Sequence, residues 1–322
     1  MKTVVIGGGL AGVLAAKKLN ATLITNKEEF VFLPRLPELI RKNPPKTILN
    51  IRDCHKDTII ADPKVDLKNN TVKAGDQEIA YDEIIIATGA KPNAPIAGVK
   101  TYAHNLYSHE DADKLKQATD KYIIVMGAGP TGVETAMELA RNNEVLLLQR
   151  PQHILKTFGS RTRSYAHKRL REAGVQVITN DACTRITSKH VISQHNKYGY
   201  DLAVWAGGLQ ANTPKGLDNK PIPVNKHLQI QGHDNAWAIG DCARSGSPLT
   251  AQAAQQEALH AVKNIKRKHK NKPLKTFHYH SKGDFLLLGN QAVMDSFIHL
   301  QGKLPAVIRN AYYDAQMRRY QL

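Results

Sequence analysis

Twice in this 322-residue chain an apolar, β-branched run breaks into a glycine-rich hexad and then into a helix-forming stretch. The first copy passes from residues 2–6 through Gly7-Gly8-Gly9-Leu10-Ala11-Gly12 into residues 13–19, ended by Asn20. The second passes from residues 122–126 through Gly127-Ala128-Gly129-Pro130-Thr131-Gly132 into residues 133–140, and a short strand follows at 144–148. Each glycine has a separate steric task. The first makes the tight turn, the second lets a pyrophosphate approach the backbone, and the third lets the helix pack on the strand, while the helix N-terminus offers unpaired N–H groups. Gly7, Gly9, Leu10, Ala11 and Gly12 are therefore expected to hold one dinucleotide, and Gly129, Pro130, Thr131 and Gly132 a second. A single turn of this kind is weak evidence, and a structural turn or a duplicated structural repeat is the plain alternative. Two units in one chain most simply hold a flavin dinucleotide and a nicotinamide dinucleotide, FAD and NAD(P)H, so placed that hydride passes between them.

The acidic residue that usually ends the second strand of such a unit and bonds the ribose hydroxyls is missing from both copies. In its place stand Thr25 and Asn26 in the first and Gln149 and Arg150 in the second. Amide and hydroxyl groups still bond ribose. With no carboxylate to repel a 2′-phosphate and Arg150 adjacent, the second site is expected to take NADPH as well as NADH.

The chain length predicts about two domains at ~150 residues each, and 42% hydrophobic residues suffice for buried cores. Cys54, Cys183 and Cys242 are too few and too scattered for a disulfide framework and show no metal-ligand spacing, so no metal is expected and a reducing compartment is the simple reading. No secretion signal is visible at the N-terminus, and no apolar run approaches the ~20 residues a spanning helix requires. The 45 Lys and Arg against 28 Asp and Glu leave a net charge of +17. Such an excess favours anionic partners: nucleic acid, an anionic membrane surface or polyanionic cofactors.

Further segments carry a family resemblance. They are Glu29-Phe30-Val31-Phe32-Leu33-Pro34-Arg35-Leu36, Tyr81-Asp82-Glu83-Ile84-Ile85-Ile86-Ala87-Thr88-Gly89-Ala90, Val204-Trp205-Ala206-Gly207-Gly208, Trp237-Ala238-Ile239-Gly240-Asp241-Cys242-Ala243 and Leu249-Thr250-Ala251-Gln252-Ala253-Ala254-Gln255-Gln256-Glu257-Ala258. With the two glycine motifs, and in that order, the chain resembles the two-dinucleotide-binding-domain flavoproteins of the pyridine nucleotide-disulfide oxidoreductase superfamily, most of all the type II NADH:quinone oxidoreductases. The resemblance covers nearly the whole chain. It implies an α/β fold of two Rossmann-like domains, the second inserted in the first. The FAD domain is expected at about 1–106 and 226–280, the NAD(P)H domain at about 107–225, opened by an N-cap at Ser108, and a short C-terminal region at 281–322.

The resemblance also implies roles. Pro34, Arg35, Ala87, Thr88, Gly89, Gly207, Gly240, Asp241 and Ala251 would contact cofactor, although Asp241 read alone is a helix cap. Gln252 and Gln256, four apart on one helical face, would line a quinone site, since amides bond quinone carbonyls without adding charge; a solvated polar face is the alternative. Glu134 is read in the first turn of the second dinucleotide helix, where the dipole favours a negative charge, and would face the nicotinamide. The implied reaction is ping-pong: NAD(P)H reduces the flavin on one face, and a quinone reoxidises it on the other.

Disulfide, coenzyme A-disulfide and sulfide:quinone reductases need a thiol beside the flavin. None of the three cysteines is well placed for it, and Cys54 with His55 is the one pair worth testing. The other readings kept open are a soluble oxidoreductase using ferredoxin or oxygen, a sulfide:quinone reductase-like enzyme and a non-enzymatic redox sensor. No aromatic-interleaved or recognition-helix pattern supports sequence-specific nucleic-acid binding. Relatives in the family carry a longer apolar C-terminal region on the membrane; here residues 304–322 read as a helix mixing Val307, Ile308, Ala311, Tyr312, Ala315 and Met317 with Arg309, Arg318 and Arg319. Membrane docking and homodimer packing both stay open for it. Seven positive charges fall in residues 263–275, just after the presumed quinone helix. Their place in the chain favours an anionic membrane face or an acidic protein, with a simply solvated basic surface as the alternative; together with the reducing compartment read from the cysteines, the expected location is cytoplasmic, with peripheral attachment to the membrane face left open.

Overall fold

A computed structural model describes residues 2–41, 45–218 and 220–321. Four strands, β1 (Thr3–Ile6), β2 (Thr22–Thr25), β3 (Thr58–Ile60) and β4 (Glu83–Ile86), run parallel and fully or largely buried, as continuous Val/Ile/Leu runs do when both sheet faces are covered. Helix α1 (Leu10–Leu19) joins β1 to β2 and ends at Asn20 in the left-handed conformation, φ 50°. Its helical residues start three earlier than the apolar periodicity implies.

The chain then leaves this sheet to build a second one. Strand β5 (Ala103–His104) is followed by α2 (His109–Lys116), whose N-cap Ser108 forms a reciprocal capping box with Asp111. After these come β6 (Tyr122–Met126), α3 (Pro130–Leu139), β7 (Glu144–Leu148), α4 (Ser160–Glu172), β8 (Gln176–Ile178) and β9 (Leu202–Trp205). The sheet order is β5-β9-β6-β7-β8, all parallel. Strand β10 (Ala236–Ala238) returns to the first sheet and pairs with β4, giving the order β10-β4-β1-β2-β3. The first sheet is thus assembled from both sides of the residues that form the second.

Helix α5 (Ala251–Lys268), N-capped by Thr250, packs along α1. An antiparallel sheet of β11 (Asp284–Leu288), β12 (Gln291–Asp295) and β13 (His299–Gly302) leads into the last helix, α6 (Lys303–Arg318). That helix overturns the expectation of a plain alternation. Arg309 is 1% exposed, whereas Val307 and Leu304 are 64% and 62% exposed. Leu322, the final residue of the helix read from sequence, lies outside the described residues.

The basic run at 263–275 also sits elsewhere than its place in the chain suggests. An 18-residue helix spans ~27 Å, so the run lies at the far end of α5 from the residues that follow Thr250. Part of its charge is structural: Lys268 Nζ bonds the buried Glu83 carboxylate at 2.6 Å, and Trp237 Nε1 donates to the same carboxylate at 2.8 Å.

Candidate active site

Both glycine turns come at the C-terminal ends of central parallel strands, where open α/β sheets bind ligands. In the first, Gly7 takes φ +113°, and a Cβ there would strike the Ala87 backbone; a Cβ on Gly12 would run into the carbonyl oxygen of Gly7. The second repeats this with Gly127 at φ +107° against Ala206, and Gly132 against the carbonyl of Gly127. Around Gly9 and Gly129 there is open space, with nothing within 4 Å of the place a Cβ would take. These are cradles that a pyrophosphate can enter, each facing the N-terminus of a helix.

The two turns open into one continuous cavity of about 800 Å³. Gly7, Gly9, Leu10, Ala11, Thr25, Asn26, Pro34, Ala87, Thr88, Gly89, Gly240, Asp241 and Ala251 line it on the side of the first sheet. Gly129, Pro130, Thr131, Gly132 and Glu134 line it on the side of the second, and Gln252 lies in the same wall.

Other expected contacts lie outside the lining, each for a visible reason. Gly12 is occupied by its approach to Gly7. The side chain of Gln149 turns behind the second glycine turn, its Oε1 accepting the Ala128 N–H at 2.8 Å, and Arg150 is exposed. Gly207 packs against the ring of Trp205, which a Cβ there would displace. Arg35 is 2% exposed and is turned to α6, where Nη1 bonds Asp314 Oδ1 at 2.6 Å and Nη2 the Asn310 carbonyl at 2.9 Å. Gln256 bonds the His280 backbone through both ends of its amide, Nε2 to O at 2.8 Å and Oε1 from N–H at 3.1 Å. Gln252 does share the cavity wall, yet its Oε1 already accepts from the Lys282 N–H at 2.7 Å and the Tyr279 hydroxyl at 3.1 Å. The common face of the two glutamines therefore holds residues 279–283 against α5.

Glu134 requires a correction of place. It is the fifth residue of α3, in the second turn, and it is buried, so the helix dipole is not what accommodates it. Its Oε1 accepts the Leu287 N–H at 2.7 Å. Burial pushes its carboxyl up to about 7, a rise that Arg309 and the Leu287 N–H oppose. Asp241 likewise caps no helix; it sits in the three-residue turn Gly240–Cys242, and burial, then Glu257, push its carboxyl up to about 6.

Several residues around the site carry no site role in the sequence reading. Arg309 Nη1 bonds Glu38 Oε1 at 2.7 Å, and its guanidinium lies 4.5 Å from the ring centre of Tyr313, a cavity-lining residue. Arg41 closes the same network, its Nη2 bonding Glu138 Oε1 at 2.6 Å. Gln255 lines the cavity and donates to the Tyr320 hydroxyl at 2.8 Å. One signal was available: Pro305, Ala306, Arg309, Gln316 and Met317 recur at helical spacing and form the buried side of the last helix, and Tyr320, just past its end, is buried too.

No cysteine is among the described residues lining the cavity. Burial pushes the thiols of Cys54 and Cys183 up to about 11 and raises that of Cys242, which suppresses the reactive thiolate. His55, beside Cys54, points its Nε2 at the Ala21 carbonyl, 2.7 Å away.

A family model described as pyridine nucleotide-disulphide oxidoreductase matches residues 1–258. Among curated proteins, the demethylphylloquinone reductase of Synechocystis sp. is 27% identical, with 94% of this chain and 88% of that protein covered. The external alternative NAD(P)H-ubiquinone oxidoreductase B2, mitochondrial, of Arabidopsis thaliana is 26% identical over 75% of this chain and 54% of its own length. Among solved structures, NDH2 from Plasmodium falciparum in complex with NADH superimposes with a TM-score of 0.86 at 18% identity, covering 99% of this chain and 96% of that one.

Proposed function

This chain belongs to the pyridine nucleotide-disulphide oxidoreductase family, and from that premise we propose that it is an FAD-dependent NAD(P)H:quinone oxidoreductase of type II. One observation carries the reading: two glycine cradles, each at a helix N-terminus, open into a single cavity whose described lining holds Glu134 and Gln252 and no cysteine. The flavin, when bound, accepts hydride from NAD(P)H and passes electrons on to quinone. The first cradle, with Thr25, Asn26, Asp241 and Ala251 around it, holds FAD; the second, with Pro130 and Thr131, holds NAD(P)H. Residues 1–106 and 226–280 serve as the FAD domain, 107–225 as the NAD(P)H domain and 281–322 as the region that closes the quinone side. Glu134 holds an ionisable proton at the wall shared by the two cradles. The names of the cyanobacterial and plant relatives support a quinone as the acceptor.

A steady-state acceptor screen on the purified holoprotein tests the assignment. Menaquinone and ubiquinone analogues are expected to outpace ferredoxin and oxygen, and alkylation with iodoacetamide to leave NADH oxidation intact. Loss of quinone reduction on alkylation would point instead to thiol chemistry of the sulfide:quinone reductase kind.

The quinone side is also the side we propose for membrane contact. No helix among the described residues is long and apolar enough to cross a membrane. Leu304, Val307, Ile308 and Tyr312 nevertheless form an outward stripe on α6, and Phe297 on the adjacent β12–β13 hairpin is 96% exposed. Interfacial docking draws on such apolar area together with attraction of basic residues to anionic lipid, and Lys303, Arg318 and Arg319 flank the stripe. In co-sedimentation with anionic liposomes, a Phe297→Glu/Val307→Glu chain is expected to bind at least about tenfold more weakly than wild type. Equal sedimentation, with a shift from dimer to monomer in ultracentrifugation, would assign the stripe to packing between two copies.

A further inference from the structure

Glu257 is 1% exposed and sits two turns into α5. Its Oε2 accepts the Gly240 N–H at 2.6 Å and its Oε1 accepts the Ser245 hydroxyl at 2.6 Å. Gly240 takes φ +69° and is wedged between helices: a Cβ there would lie 3.5 Å from that of Ala254 on α5 and 3.6 Å from that of Ala11 on α1. One carboxylate thus ties down both ends of the segment 240–245 that carries Asp241, and Gly240 and Asp241 both face the cavity beside the first glycine turn. We infer that Glu257 is a positioning residue of the flavin site, clamping residues 240–245 onto α5 so that Asp241 is fixed at the cavity wall. This role rests on the assignment of FAD to the first cradle.

The partners of Glu257 are neutral, the Gly240 N–H with the hydroxyls of Ser245 and Ser247, and the charged group next to it is another carboxylate, Asp241. Hydrogen bonding alone does not require an acid at this place. A glutamine could accept from the amide with its oxygen and donate to the Ser245 hydroxyl with its nitrogen. Burial raises the Glu257 carboxyl, and the Ser245 and Ser247 hydroxyls and the Gly240 N–H oppose that rise by bonding the ionised form; in that form it stands beside Asp241, and two carboxylates held at the flavin end oppose the gain of negative charge on reduction and lower the midpoint potential.

The clamp and the charge separate in three variants of the holoprotein. Glu257→Ala removes both and is expected to weaken FAD binding on the order of tenfold to a hundredfold, the scale of losing hydrogen bonds to a charged acceptor. Glu257→Gln is expected to keep FAD affinity within about threefold while raising the flavin midpoint potential in a dye-equilibrated reductive titration. Ser245→Ala, which removes one hydroxyl from a partly exposed turn, is expected to weaken FAD severalfold and leave the potential unchanged; it decides the matter should Glu257→Ala not fold. Wild-type FAD affinity in Glu257→Ala, or in Ser245→Ala where that variant decides, overturns the clamp, and an unshifted potential in Glu257→Gln overturns the electrostatic part. A wild-type chain that binds no FAD removes the flavin assignment itself, and this role with it.

Discussion

A Gly132→Ala chain is expected to keep its flavin and lose its reduction by NAD(P)H, with kcat/KM for the nicotinamide down by about a hundredfold or more. The methyl has nowhere to go. It would run into the carbonyl oxygen of Gly127 and stand 3.2 Å from the Ala206 Cβ, while Gly127 is itself held at φ +107° against the Ala206 backbone. Backbone cannot swing aside as a flexible side chain can, so α3 must lift from the turn and carry its N-terminal N–H groups off the pyrophosphate; overpacking of this kind costs about 1–3 kcal/mol or more, and ~2.7 kcal/mol is a hundredfold. Gly12→Ala repeats the collision at the first turn and is expected to yield a chain that purifies without flavin. Gly129→Ala is the control for folding, because its backbone is extended, φ −73° and ψ −177°, and the space around it is open. It should melt at the wild-type temperature yet bind NAD(P)H about tenfold more weakly, since the methyl fills the approach itself. Single-turnover bleaching of the flavin measures Gly132→Ala and Gly129→Ala, and flavin absorbance of the purified chain measures Gly12→Ala. Wild-type bleaching by Gly132→Ala would remove the nicotinamide from the second turn.

The glycine turns were legible because their steric requirements are local: the residues that collide lie within about five positions of one another, or on the neighbouring parallel strand. The N-cap at Ser108 is legible for the same reason, although the reciprocal bond from Asp111 emerges only in the structure. Arg35 and Gln256 were not. Their residue types and order match the resembled family, but the partners that turn them away from the cavity, Asp314 and His280, arrive from far along the chain. Arg309 shows a different failure. On a helix that mixes apolar and basic residues nothing local singles out one arginine for burial, yet Arg309 enters the protein because Glu38 and the Pro34 carbonyl wait there for it. Its burial then leaves Val307 and Ile308 to face outward. The basic run was read by its adjacency in the chain to the two glutamines, and a long helix sets sequence neighbours at opposite ends, so the run stands apart from Gln252 along α5.

Glu134→Gln is expected to remove the pH dependence of stability that the wild-type carboxyl imposes. Glu134 is buried at the cavity wall, and the charged groups acting on it come from three directions: Arg309 on α6, Glu38 on the 3-10 segment Leu33–Ile40, and Glu138 on its own helix. Burial is the largest influence and raises the carboxyl from 4.5 to about 7. The sign follows from proton counts. Below pH ~4.5 the group is protonated in both folded and unfolded chains and contributes nothing. Between that value and about 7 the folded chain holds a proton that the unfolded chain has released, so stability falls as pH rises, and the loss is complete above 7. Its ceiling is on the order of 3 kcal/mol. The amide of Glu134→Gln keeps an oxygen for the Leu287 N–H but has nothing to ionise, so in urea titrations the variant should gain on wild type by about 2–3 kcal/mol between pH 5 and pH 8. The same substitution should slow flavin reduction by NAD(P)H and flatten its inflection near neutral pH, because the proton held at the cavity wall is gone. Arg309→Met pulls the other way: without the guanidinium that favours the ionised form, the Glu134 inflection should move upward. A stability gap between Glu134→Gln and wild type that is equal at pH 5 and pH 8 would mean that Glu134 ionises as a solvated carboxylate does, and it would then have no special proton to offer at the site.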